Sequence, residues 1–172
     1  MIGLERGTVA LVAYRPEWKR YYEEEIRRLE SIAGDRLLEY EHVGSTAIEG
    51  MAAKPIVDLL AVVDDLKDAT ELIPTLEAHG YEHRPDEIPD RIFLARGPRT
   101  KRTHYLSLVE RESASFRETV AFRDYLREHP EAAAEYERLK RELAARHPDD
   151  RSAYTEGKRE FVERVLERAL EP

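Results

Sequence analysis

The stretch at residues 56–63, IVDLLAVV, does most to limit what this chain can become. Seven of its eight residues are apolar and four are β-branched. That is the pattern of a central, buried strand rather than of one with a solvated face. Its one charge is Asp58. A carboxylate on so apolar a strand is costly unless something partners it. A metal ion, a Lys or Arg such as Lys54 or Arg91, or nearby hydroxyls would all serve.

The rest of the chain arranges itself around that strand. Residues 8–14, 37–43, 91–95 and 103–109 carry the apolar, β-branched content of further strands. Pro16 opens a helix in which Trp18, Tyr22, Ile26, Leu29 and Ile32 recur at helical spacing until Gly34 ends it. Residues 68–78 read as a second amphipathic helix, with Gly80 as its C-terminal cap. From residue 113 onward the pattern is helical throughout, in three pieces: 113–128, a second from Pro130 to the break at 147–150, and 151–170. Between the strands at 91–95 and 103–109, residues 97–102 form a short basic turn, read as a solvated hairpin that could also hold an acidic ligand. The expected fold is α+β: a mixed sheet of about five strands with a helix or two on one face, then a three-helix C-terminal extension. The whole of residues 1–172 reads as one unit, with a core over 1–110 and the extension over 111–172.

Composition removes several chemistries. There is no cysteine, so disulfides, thiolate catalysis, zinc fingers and iron–sulfur clusters are excluded. No apolar run reaches the length of a membrane span. The first fourteen residues lack the pattern of a signal peptide, and a cytoplasmic location is the expectation. The net charge of −8 argues against nonspecific nucleic-acid binding.

One constellation could carry chemistry. Residues 41–58, EHVGSTAIEGMAAKPIVD, join a strand to a glycine–hydroxyl turn, a Lys-Pro pair and the strand acid. Gly44 admits close approach of a backbone or ligand. Ser45 and Thr46 offer hydroxyls and free amides for phosphate, and Lys54 offers charge. The P-loop spacing is absent. His42 and His104 are candidate metal ligands beside Asp58, or acid–base groups, or hydrogen-bonded structural residues. Arg123 and Arg127 share a helix face and could clamp phosphate. Lys140, Tyr154 and Lys158 are further phosphate candidates.

HVGSTAIEGMAAKPIVDLLAVV resembles the signature of the GrpB family of small bacterial and archaeal proteins. Tyr14-Arg15-Pro16-Glu17-Trp18 is similar to that family's Y-x-P-x-W opening. Phe122 to Pro130 is similar to its FRDYLR-x-HP block, and Leu139-Lys140, Tyr154-Thr155, Lys158 and Phe161 match its C-terminal helices. The resemblance implies the nucleotidyltransferase fold, with Gly44-Ser45 as the phosphate-holding loop and Asp58 as the first metal-binding carboxylate. It implies a divalent cofactor, Mg²⁺ or Mn²⁺ or a transition metal. The pattern then departs from those enzymes. A two-metal strand needs acids at i and i+2 so that both face one way, and i+2 from Asp58 is Leu60. The strand at 103–109 offers His104, Tyr105 and Ser107 but no acid. Asp64 and Asp65 lie about 20 Å further along. Two functions follow as expectations. One is a metal-dependent nucleotidyltransferase acting on a small molecule, with Asp58 and His104 catalytic. The other is a degenerate module that binds a nucleotide or small phosphorylated ligand and acts as a sensor or partner.

Overall fold

The computed structural model describes residues 2–171. Helix α1 spans Glu17–Ala33 and leads through a 3₁₀ turn at Gly34–Arg36 into strand β1, Glu39–Val43. A second 3₁₀ turn, Ser45–Ala47, precedes strand β2, Val57–Val63. Two short helices follow, α2 (Leu66–Ala69) and α3 (Leu72–Glu77), then strands β3 (Tyr81–His83), β4 (Arg91–Arg96) and β5 (His104–Glu110). Helices α4 (Ala114–Glu128), α5 (Pro130–Arg146), α6 (Arg151–Gly157) and α7 (Arg159–Ala169) complete the chain. Among the described residues no helix is long and apolar enough to cross a membrane.

The five strands lie in the order β1-β2-β5-β4-β3, with β2 and β5 parallel and the other pairs antiparallel. The apolar run on β2 therefore sits inside the sheet, as its composition requires. Alternation sorts its residues onto two faces. Val57, Leu59, Ala61 and Val63 join Leu106, Leu108, Ile92 and Leu94 under Leu29 and Ala33 of α1 and Leu72 and Leu76 of α3. Leu60 faces the other way, with Val43 and Val109, against Phe116 and Val120 of α4. Asp58 shares this second face. Ile48 and Met51, just beyond the 3₁₀ turn, pack with Leu126, Tyr136, Phe161 and Val165, so the loop before β2 docks the helical extension onto the sheet.

Four expectations need correction. Residues 8–14 form no strand, because both edges of β2 are taken by β1 and β5. Their backbone groups instead pair with loops, Val12 with Ala53 and Val9 with the Pro148 carbonyl. The fifth strand is β3, three residues long and too short to show alternation. The helix expected at 68–78 is two helices. Asp65 caps the first, and Pro74 is tolerated only because the chain restarts a helix just before it. The last helix breaks at Lys158, next to Gly157, which packs so closely on Leu143 that a Cβ would overlap that side chain. Nor is the basic turn solvated throughout: Arg102 is 2% exposed and donates to the Gly97 carbonyl at 2.6 Å and to the Glu82 carboxylate.

Candidate functional site

The site begins where β1 ends. Val43 pairs with Asp58 across the β1–β2 ladder. Gly44 then takes φ +73° and ψ −176°, a conformation that is essentially glycine's alone. A Cβ on Gly44 would overlap Asp58 Oδ2. The glycine thus lets the backbone lie against the strand carboxylate. Ser45 and Thr46 follow in the 3₁₀ turn, closed by Ala47 N–H to Gly44 C=O at 3.1 Å.

Two groups from α5 fix Ser45. Lys140 Nζ lies 2.8 Å from Ser45 Oγ and donates to the Ala52 carbonyl at 2.6 Å, and the Tyr136 hydroxyl is hydrogen-bonded to Ser45. Lys140 is 1% exposed. Burial, reinforced by the neighbouring Lys158, pushes its ammonium pKa down to about 7. As a sealed group spent on Ser45 and Ala52, Lys140 is not placed as a direct ligand for a phosphate in solution.

The charges that act on Asp58 are cationic. Burial raises its carboxyl pKa, and Lys54, Lys158, Arg91 and Arg151 pull it back down. Among the described residues none hydrogen-bonds this carboxylate. Burial also lowers the Lys54 pKa, with Lys158 and Arg151 adding to the fall and Asp58 opposing it. Lys158 falls to about 8, again chiefly by burial, with Asp58 opposing. Both ammonium groups sit over one ring, Lys54 Nζ at 5.2 Å and Lys158 Nζ at 4.4 Å from the Tyr154 centroid. Arg151 donates to the hydroxyl of Tyr105, the β5 residue paired with Asp58, and to the Thr8 carbonyl at 2.7 Å. Arg151 was not legible in the sequence as a site residue. Its only signal is the Asp150 cap before it, which says nothing about where the guanidinium points.

The remaining candidates lie elsewhere. His42 pairs with Leu59 and His104 with Val57, so both are one residue out of step with Asp58 and belong to the opposite face of the sheet. Neither is brought to Asp58, and the expected grouping of Asp58 with either histidine around one metal is not formed. His104 is buried, with Nδ1 2.8 Å from Thr103 Oγ1, and its pKa falls to about 4 through burial, with Arg96 and Arg28 contributing. His42 Nε2 lies 2.9 Å from Thr46 Oγ1, and its ring stacks on Tyr22 with centroids 4.6 Å apart. Burial first, then Arg127 and Arg123, pushes its pKa to about 3. Arg123 donates to Glu41 at 2.8 Å, to the His42 carbonyl at 2.9 Å and to Asp124. Arg127 donates twice to the Ala47 carbonyl, at 3.0 and 2.7 Å. These arginines hold the Gly-Ser turn in place. His42, Thr46 and both arginines line a cleft of about 850 Å³ that does not include Asp58.

A neutral buried His42 has a pH consequence. Its folded pKa lies below its unfolded one, so acidification loads the proton onto the unfolded chain first. Its contribution is therefore lost as pH falls from about 6.5 towards about 3, and it amounts to a few kcal/mol on the order-of-magnitude scale of such shifts. His104 acts in the same direction and Asp58 against it. Thermal melts across that window should show a visibly flatter acid limb in His42→Gln than in the parent. Superimposable limbs would contradict a buried neutral His42.

The donor set does not suit the divalent metal that the family resemblance implies. Leu60, 4% exposed, stands where the second carboxylate would be, and β5 presents Tyr105 and Ser107 on the Asp58 face. Among the described residues no group of three or more His, Asp or Glu side chains is placed to hold an ion. The charges that act on the one acid are cationic, those of Lys54, Lys158, Arg91 and Arg151. These residues do not fit a metal pair.

The five-stranded sheet, the Gly-Ser turn and the strand aspartate define a protein of the nucleotidyltransferase fold. The Cid1 poly(U) polymerase, in a crystal structure with Mg 3′-dATP bound, superimposes with a TM-score of 0.53 at 18% identity, covering 79% of this chain and 44% of that one. The family model for GrpB protein matches residues 8–168, and the chain belongs to the GrpB family. It is 37% identical over 171 residues to the glutamate-rich protein GrpB of Alkalihalophilus pseudofirmus, covering 96% of this chain and 98% of that protein. The crystal structure of conserved protein GrpB from Enterococcus faecalis superimposes with a TM-score of 0.86 at 35% identity, covering 94% of this chain and 97% of that one.

Proposed function

We propose that this chain binds a small phosphorylated ligand, nucleotide or otherwise, on its own cations and without two-metal nucleotidyl transfer. Lys54 and Lys158 neutralise the phosphate, Ser45 offers a hydroxyl, and Arg151 closes the charge on the β5 side. Asp58 serves the lysines: it helps keep two crowded, half-buried ammonium groups protonated. The reading rests on one observation above all: Lys54 and Lys158 gather over the Tyr154 ring and act on a single strand acid whose i+2 neighbour is Leu60. Metal-dependent nucleotidyl transfer is the alternative that the fold suggests, and the missing carboxylates weigh against it. The locally basic pocket in a chain of net charge −8 suits a small anion better than a polynucleotide.

Calorimetric titration with pyrophosphate tests the proposal. Saturable binding is expected in EDTA, weakened rather than created by adding Mg²⁺, which competes for the anion. Binding that appears only with Mg²⁺, or release of pyrophosphate from nucleoside triphosphates on adding metal and acceptor, would contradict it.

A further inference from the structure

We propose that Ser45 and Lys140 form a nucleophile–base pair, suited to carboxylic esters of phosphorylated molecules. The substrate class rests on the anion site described above; the pair itself does not. Ser45 Oγ and Lys140 Nζ are 2.8 Å apart, within reach for proton transfer. A third group orients the base, since Nζ also donates to the Ala52 carbonyl at 2.6 Å. The nucleophile is partly exposed while the base is 1% exposed, so water does not compete for Nζ. Ser45 follows the constrained Gly44 turn, which limits the directions its hydroxyl can take. Tyr136 holds the same oxygen from α5.

A serine hydroxyl is a weak nucleophile until a neutral base takes its proton. Burial brings Lys140 to about 7, so the neutral amine is well populated near neutral pH. The charged groups that act on it are Lys158, Lys54 and Arg141, which favour the neutral form, and Glu137, which opposes it. In the reaction, the Ser45 Oγ–acyl bond forms and the bond from the acyl carbon to its leaving oxygen breaks. The Ser45 proton passes to Nζ and then to the leaving alcohol. Water later cleaves the acyl-serine by the same route in reverse and restores the hydroxyl. A ligand phosphate on Lys54 and Lys158 would place an attached ester near Ser45.

The test uses the full chain and diisopropyl fluorophosphate, an uncharged reagent that does not need the anion site. Intact mass and peptide mapping should show one adduct on Ser45, forming faster as pH rises through about 7. Labelling should slow on the order of a hundredfold or more in Lys140→Arg, the scale of a lost general base. That variant keeps a cation beside the turn, and circular dichroism confirms its fold; Lys140→Met provides a second uncharged comparison. Absence of the Ser45 adduct in the folded parent, or parental labelling rates in Lys140→Arg, would overturn the pair. Pyrophosphate should protect Ser45 from the reagent. Labelling without protection would leave the pair standing and remove the anion reading, whereas pyrophosphate binding without any labelling would do the reverse.

Discussion

Replacing Gly44 with alanine should cost about 2–4 kcal/mol and abolish anion binding together. The backbone cost comes from the Gly44 conformation, which carries about 1–3 kcal/mol for any residue with a side chain. The remainder comes from the overlap of the new methyl with Asp58 Oδ2, which forces the carboxylate or the β1–β2 register to move. On a chain of this size that loss lowers the melting temperature by roughly 5–15 °C. Gly50 supplies the control. It also has positive φ, +82°, but a Cβ there meets nothing within 4 Å. Gly50→Ala should therefore lose only the backbone part and keep pyrophosphate binding. Equal effects at the two glycines, on stability and on binding, would mean that the contact between Gly44 and Asp58 has no special role.

The second large effect is on binding alone. Replacing both Lys54 and Lys158 with methionine should weaken pyrophosphate binding by on the order of a hundredfold or more, since hydrogen bonds to charged groups contribute about 1.5–3 kcal/mol each. Stability should not fall in parallel. Both lysines have folded pKa values below their unfolded ones, so folding is penalised while they are protonated and gains as pH rises past the folded values. Here only the cations are replaced, so Asp58 is left without its two ammonium neighbours and the cost depends on its taking up a proton. The double variant is thus expected to stay folded, with any loss of melting temperature shrinking as pH falls, because Asp58 takes up a proton more readily once its two ammonium neighbours are gone. Unaltered pyrophosphate affinity in a folded double variant would contradict the site. Loss of both affinity and fold would instead make the lysines structural.

Much of the architecture was legible because its signals are local. The unbroken apolar run identifies β2, and the spacing from Trp18 to Ile32 identifies α1. Residues 8–14 were misleading because β-branched content reports on extended backbone, and here that backbone pairs with Ala53 and Pro148 instead of a ladder. The candidate site was legible in its parts but not in its grouping. Gly44, Ser45, Lys54, Asp58, Lys140 and Lys158 come together, yet Thr46, Arg123 and Arg127 hold the far side of the same turn. Strand parity alone separates His104 and His42 from Asp58, and it could be applied only once the ladder partners were known. The role of Arg151 depends on a helix packing that no local spacing encodes. The absence of an acid at Leu60, visible at the outset, is what the surrounding cations make intelligible.

The central claim is that the chain's own cations, with Asp58 among them, take the place that metal ions hold in related folds. A pyrophosphate titration of Asp58→Asn beside the parent, in EDTA at about pH 6, below the lysine pKa values, and at about pH 8, at or above them, tests it most directly, because the two accounts differ in whether binding needs a metal. If Lys54 and Lys158 bind the anion, the parent should bind in EDTA and Asp58→Asn should still bind, close to the parent at the lower pH and severalfold more weakly at the higher one, where the lysines have lost the charge that helps keep them protonated. If Asp58 acts by holding a metal that bridges the phosphate, the parent should bind only once Mg²⁺ is restored, and Asp58→Asn should not bind at all.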